Sequence, residues 1–413
     1  MQRIAIVGAG PAGASAACHL ARAGHAVRLF DRAAFPRDKP CGDWLTPLAL
    51  REIAALGLDV DKLRSQAGAS ATIARTSLRA PSGRTSRAGD AMGLCIPRLR
   101  LDAVLVAHAV ASGCEFVQRA FARVEPGAEG LEGFDLVVDA RGSSAGRVNA
   151  AGLRGYWTVP RRGFEDAVAS GGLDAPNPHD AAASPDATGL LHRLDAASVE
   201  VAIRTDARCR RGYGWIFPVD VRDHRVTFNL GVGLWKADIR PGHGLREMLA
   251  RFLATDPLAR VLDRAAIERS RPQGFPLAMG GWTVPRVGHG RWARIGDAAS
   301  LADPLTGDGI GNALLSGRLL ARAVMRQPDA LPSPSPLPLP LPSSSSPPGD
   351  AWQSCFDAEV LPELRRAWLL RQLLMPSRAK NAAAWLLDLA PQGLRHRLHA
   401  ALFGAESYRQ ALL

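Results

Sequence analysis

Three glycines at fixed spacing are the first residues in this chain whose types point to chemistry: Gly8-Ala-Gly10-Pro11-Ala12-Gly13. A glycine at the first position permits a tight turn. One at the second leaves no side chain between the backbone and a pyrophosphate, and the third lets a helix pack closely on a strand. Asp31 stands 18 residues beyond Gly13. A carboxylate there can accept both hydroxyls of an unphosphorylated adenosine ribose.

These residues need a strand, a turn, a helix and a second strand to bring them together. The apolar run 4–7 reads as a buried strand, and residues 14–23 read as a helix that Gly24-His25 ends. Residues 26–30 then form a second strand closing on Asp31. This order sets the pyrophosphate at a helix N-terminus, where free N–H groups and the helix dipole favour an anion. NAD and FAD both satisfy the segment.

Other catalytic patterns are missing from the sequence. No Ser-His-Asp order, paired-carboxylate motif or metal-ligand spacing competes with the dinucleotide reading, so no metal is expected. The six cysteines, at 18, 41, 95, 114, 209 and 355, form no CxxC pair. They read as reduced thiols of a cytoplasmic protein. The first residues do not read as a signal peptide, and no apolar run is long enough for a transmembrane helix. The 413 residues, 47% hydrophobic, suffice for a large core and more than one domain. The formal net charge of +12 is carried mostly by Arg. No basic helix or nucleic-acid motif accompanies it, so no nucleic-acid partner is expected. An Arg- and Ala-rich coding bias explains the excess equally well.

Three distant segments narrow the cofactor. Pro97-Arg98-Leu-Arg-Leu101-Asp102 opens a helix, and Phe134-Asp-Leu-Val-Val-Asp139-Ala140-Arg-Gly142 is a buried strand with a small-residue turn. Arg294-Ile-Gly296-Asp297 precedes Pro304-Leu-Thr-Gly307-Asp308-Gly309-Ile310. Together they resemble the FAD-dependent oxidoreductases of the p-hydroxybenzoate hydroxylase fold. The resemblance implies FAD, with Arg98 near its phosphates and ring and Asp297 on its ribityl chain. It also implies that the loop 304–309 lies beside the isoalloxazine and that a helix from Gly309-Ile310 aims its N-terminus at the flavin. A positive helix end there would stabilise an anionic reduced flavin. No second nucleotide fingerprint is present. Electrons are therefore expected from transiently bound NAD(P)H or from a reduced protein donor.

Two further segments are similar to the geranylgeranyl reductase family. One is Asp31-Arg32 followed by Phe35-Pro-Arg-Asp-Lys39-Pro-Cys41-Gly42. The other is Gly212-Tyr213-Gly-Trp215-Ile-Phe217-Pro218. Alternation puts Tyr213, Trp215 and Phe217 on one face of a strand, suited to an isoprenoid chain or simply to core packing. The resemblance implies that Cys41-Gly42 abuts the flavin and that the aromatic strand borders the substrate. Trp44 departs from the small residue the family carries there, and is expected to shorten or redirect the cavity. The implied reaction is reduction of C=C bonds in an isoprenoid or related apolar metabolite. Cys41 is the candidate proton donor and Tyr213 the alternative. A monooxygenase acting on an aromatic or polyketide-like metabolite is the rival reading, and a halogenase ranks third.

The expected architecture is α/β. A Rossmann-like FAD-binding domain lies within 1–150, drawn from about 1–70 and 95–150, and is completed by 285–325. An interposed substrate domain of mixed or antiparallel sheet spans 155–280, with its clearest strands at 198–203 and 226–230. A linker at 327–350 follows, with nine prolines between Pro328 and Pro348. The helical segment 351–413 ends the chain, with helices at 352–374 and 382–389. The basic and apolar residues of this tail suit either a cap over the cavity or a peripheral contact with an anionic membrane.

Overall fold

A computed structural model of the chain describes residues 1–68, 70–162, 199–204, 212–222, 224–239, 241–325 and 346–391, with 393, 394, 397 and 407–409. The first layer is a six-stranded sheet built on Arg3–Val7 (β1), with Ala26–Asp31 (β2) parallel beside it. Glu115–Gln118 (β6) extends that edge. Leu136–Asp139 (β7) pairs parallel on the other side of β1, followed by Trp292–Arg294 (β15) and the short antiparallel Gly288–His289 (β14). Four consecutive buried residues in β7 match a strand covered on both faces.

Helix Pro11–Arg22 (α1) packs on this sheet and against Ile310–Met325 (α7). The two helices approach so closely that a Cβ at Gly317 would lie 2.7 Å from the Ala12 carbonyl oxygen. The Ser15 hydroxyl donates to the Leu314 carbonyl at 2.8 Å. Pro47–Ala55 (α2) also packs on α7, and Val60–Ala67 (α3) follows it; the main core lies between these helices and the sheet.

The second layer is a nine-stranded sheet, mostly antiparallel. Its centre is Gly212–Val221 (β10) and Arg225–Trp235 (β11), with Ala150–Pro160 (β8) beyond β11 and both Glu268–Arg269 (β12) and Gln273–Leu277 (β13) paired on β8. Val199–Arg204 (β9) lies beside β10, where part of the expected strand at 198–203 falls outside the described residues. Three strands come from earlier in the chain than the 155–280 expected to supply this sheet: Trp44–Leu45 (β3), Ala71–Arg79 (β4) and Thr85–Cys95 (β5). Helices Leu245–Thr255 (α5) and Pro257–Ala265 (α6) cover one face, filling a second core with Met248, Phe252 and Leu262. The other face meets the first layer.

Most of the expected linker, 326–345, lies outside the described residues. Its last residues are not linker, because Pro348–Cys355 (α8) is helical. Proline is well placed there, since the first helical residue needs no N–H partner and favours a fixed φ. Trp352 of α8 is fully buried and donates its indole N–H to the Arg294 carbonyl at 2.9 Å, tying the tail to β15. A short stretch of π-helix, Phe356–Val360, leads into Leu361–Leu374 (α9) and Ser377–Leu389 (α10). The α10 helix begins five residues earlier than its apolar run suggests.

Candidate active site

At the end of β1 the backbone turns at Gly8, whose φ of +111° only glycine adopts freely. A Cβ there would lie 2.3 Å from the Ala140 carbonyl oxygen, and one at Gly13 would lie 1.8 Å from that of Gly8. These two glycines are fixed by packing. Gly10 is different: a Cβ would meet nothing closer than the Arg37 and Arg98 guanidinium groups, at 3.9 Å. It caps the N-terminus of α1 without a side-chain hydrogen bond. The result is a space lined by a helix end and two cations, which fits a diphosphate.

The acidic partners lie around this cradle. Asp31 accepts from the backbone of Ala9 at 2.9 Å and of Ala33 at 3.0 Å. Arg37 bridges it to Asp102, at 3.3 Å and 2.9 Å. Arg98, at the start of Arg98–Ala111 (α4), is buried and held by both oxygens of Asp102 at 2.6 and 2.7 Å. Across the cavity, Lys39 reaches Asp297 at 3.4 Å. Arg32 stands exposed at the rim.

The loop 303–309 leads into α7. Asp303 accepts from the backbone of Leu305 and Thr306, both at 2.8 Å. Asp308 caps α7 through the Gly311 N–H at 3.1 Å and accepts from the Thr46 hydroxyl at 2.7 Å. Loss of hydration pushes both carboxyl groups above the usual carboxylate range. Tyr408, from the end of the chain, donates to Asp303 at 3.1 Å. Tyr213 donates to the Thr306 carbonyl at 2.6 Å and lies over Gly307, which has a φ of +77°.

Opposite this loop, the segment Cys41-Gly42-Asp43 is held by the second sheet. Asp43 has a φ of +66° and is fully buried. Its carboxylate accepts from Tyr156 at 2.6 Å, from the Asn229 side chain at 2.8 Å and from the Arg98 backbone at 3.1 Å. Burial raises it to about 6, against those hydrogen bonds and the nearby Arg154. Asn229 also donates to the Cys41 carbonyl at 2.7 Å and accepts from the Trp215 indole at 2.9 Å. Loss of hydration raises the Cys41 thiol above its ordinary range, so it is protonated at neutral pH.

Tyr213, Trp215 and Phe217 share the face of β10 toward this segment, with successive ring centroids 6.0 and 6.2 Å apart. Trp44 meets Phe217 edge-on at 5.5 Å. The residues between them face the other way, and Gly214 receives the ring of Phe252 from α5.

One cavity of about 920 Å³ joins these parts. It runs from Gly8, Gly10, Pro11, Ala12, Asp31 and Arg32, past Arg98, Cys41, Gly42 and Asp297, to Pro304, Gly307, Gly309 and Ile310. It continues along Trp44, Tyr213, Trp215 and Phe217. Of the residues singled out in the sequence, only Gly13 does not line it, because its place is against Gly8. Leu374 and Met375 at the end of α9, with Ala383, Ala384 and Leu387 of α10, close the far side.

Arg37 and Lys39 lie in a segment quoted from the sequence but were given no role there, and Asp43, Tyr156 and Asn229 were not singled out. One signal for Asn229 was available: a polar residue inside the apolar strand 226–230 must find a partner when buried.

The FAD binding domain family matches residues 1–132. The menaquinone reductase of Mycobacterium tuberculosis is 31% identical over 348 residues, covering 77% of this chain and 75% of that protein. The digeranylgeranylglycerophospholipid reductase of Methanoculleus marisnigri is 29% identical over 334 residues, covering 78% and 76%. The crystal structure of a geranylgeranyl bacteriochlorophyll reductase-like protein from Thermoplasma acidophilum covers 100% of this chain and 97% of its own, with a TM-score of 0.69 at 18% identity. A flavin-dependent brominase and a Pseudomonas aeruginosa protein described as a probable FAD-dependent monooxygenase share the fold, so the fold by itself does not select the reaction. The chain is an FAD-dependent oxidoreductase that is similar to the digeranylgeranylglycerophospholipid reductases and belongs to the family of the menaquinone reductases.

Proposed function

We propose that this enzyme reduces a carbon–carbon double bond in an isoprenoid or similarly apolar metabolite. The observation that carries the reading is the single cavity, which passes from the dinucleotide cradle and the loop 304–309 directly into an aromatic and aliphatic compartment. The relatives are named for menaquinone and for a digeranylgeranyl lipid, both molecules with isoprenoid chains.

The residues available to hold FAD are Gly10, Pro11 and Ala12 with the end of α1 at the diphosphate, Asp31 at the ribose, and Asp297 with the 304–310 segment at the flavin. Bound, reduced FAD supplies a hydride, and NAD(P)H or a reduced protein donor restores it. The aromatic face of β10 and Trp44 hold the chain and exclude water. The second alkene carbon needs a proton. Cys41 remains a thiol at neutral pH and is the proposed donor. The Tyr213 hydroxyl is engaged with Thr306 and serves the loop instead. One hydride from the bound cofactor and one proton from Cys41 would together saturate the double bond, and the Cys41 thiolate would regain its proton from solvent.

Incubation with a reductant and a polyprenyl substrate, followed by mass spectrometry, tests this reading. The expected product carries two added hydrogens per reduced double bond. A product bearing oxygen instead would replace the reading with monooxygenation.

A further inference from the structure

The tail helices that close the cavity have a second face. In α10, Ala382, Trp385, Leu386 and Leu389 recur at helical spacing and all are exposed, Leu386 by 59%. In α9, Leu369 and Leu373 stand four apart and are also exposed, Leu373 by 69%. Trp282 adds to this surface, with its ring 5.8 Å from that of Trp368. The inner sides of the same helices meet the cavity through Leu374, Ala384 and Leu387. An apolar stripe facing water on two adjacent helices marks an interaction surface.

Charge selects its occupant. Each stripe has a basic residue at its N-terminal end: Arg365 in α9, resting over the ring of Trp282 at 5.4 Å, and the exposed Arg378 in α10. From residue 361 onward the sequence carries eight Lys and Arg against three Asp and Glu. A second copy would bring like charges together. The Pro-rich segment before the tail, at 327–350, has only two acidic side chains to offer them. Trp and Leu at the centre with Arg at the edge are the components of an interfacial helix on anionic lipid.

We propose that α9 and α10 dock in the plane of an anionic phospholipid surface. Their outer stripes sink among the acyl chains, and Arg365 and Arg378 meet the headgroups. The docking does not depend on the reaction proposed above. Where that reaction holds, the helices place the bilayer about one helix diameter, roughly 10 Å, from the cavity, so an apolar chain enters without crossing water.

The test uses the full FAD-loaded chain and sedimentation with phosphatidylglycerol/phosphatidylcholine vesicles or with phosphatidylcholine alone. Leu373→Asp/Leu386→Asp is compared with wild type, with FAD content and thermal melting confirming that the variant is folded. Neither residue lines the cavity. Wild type is expected to partition onto the anionic vesicles, more weakly as salt rises. The variant is expected to bind at least about tenfold less. Equal partition of both proteins, or no partition of wild type at low salt, would overturn the proposal. So would a dimer in light scattering that the variant dissolves while vesicle binding is absent. The readout is binding alone, so failure of the reductase reading leaves it intact.

Discussion

Tyr156 on β8 donates a 2.6 Å hydrogen bond to Asp43, a residue 113 positions earlier in the chain. This bond joins the second sheet to the segment that carries Cys41. Asn229 completes the joint by holding Asp43, the Cys41 carbonyl and the Trp215 indole together. The cavity wall and the loop beneath it are therefore set by one buried polar network, which fixes geometry more sharply than apolar packing does.

The network makes stability depend on pH. Asp43 is raised from 3.8 to about 6 in the folded protein, so the folded state holds this proton more tightly than the unfolded chain. That contribution is complete below the unfolded value and is lost as pH rises through about 6. The shift corresponds to roughly 3 kcal/mol. Asn tolerates the left-handed backbone and does not ionise. Urea unfolding of wild type and Asp43→Asn from about pH 4 to about pH 7 should show wild type losing stability relative to the variant. Groups common to both proteins, among them His19 at about 4, cancel in the difference. Parallel profiles would count against the assignment.

The glycines of the cradle should separate by role. Gly13→Ala puts a Cβ against the Gly8 carbonyl and is expected to lower the melting temperature of the apoprotein. Gly10→Ala meets no protein atom closer than 3.9 Å. It should leave apoprotein melting unchanged while weakening FAD at least about tenfold, a loss of about 1.4 kcal/mol. Unchanged FAD affinity in Gly10→Ala would remove the diphosphate from this place.

Cys41 and Tyr213 should also behave differently. Cys41→Ala is expected to keep FAD and substrate affinity while slowing turnover about 100-fold, the scale of a lost proton donor. Tyr213→Phe removes the bond to Thr306 and should alter the flavin absorbance spectrum through the loop. Full turnover with normal product stereochemistry in Cys41→Ala would exclude its role.

The sequence was most informative where the chemistry is local. Gly8 to Asp31 is a continuous strand, turn, helix and strand, and the alternation at Tyr213, Trp215 and Phe217 needs only strand geometry. The Asp43–Tyr156–Asn229 network was illegible because its members lie 113 and 186 positions apart and no spacing rule links them. Strands β4 and β5 give no sign of which layer they join, since either sheet could accept them. Trp44 reads in the sequence as a residue that shortens or redirects the cavity, and it does line it. In the fold it begins a short strand on β5 and turns its ring edge-on to Phe217, extending the aromatic wall.

The central claim is that the flavin and an isoprenoid double bond share one cavity. Its most direct test is to reduce the FAD-loaded protein without oxygen, add a polyprenyl substrate, and follow the flavin absorbance. The account predicts reoxidation at a rate that saturates with substrate, together with a saturated product. Flavin that stays reduced with every alkene, yet yields a hydroxylated product from an aromatic compound once oxygen is admitted, would contradict it.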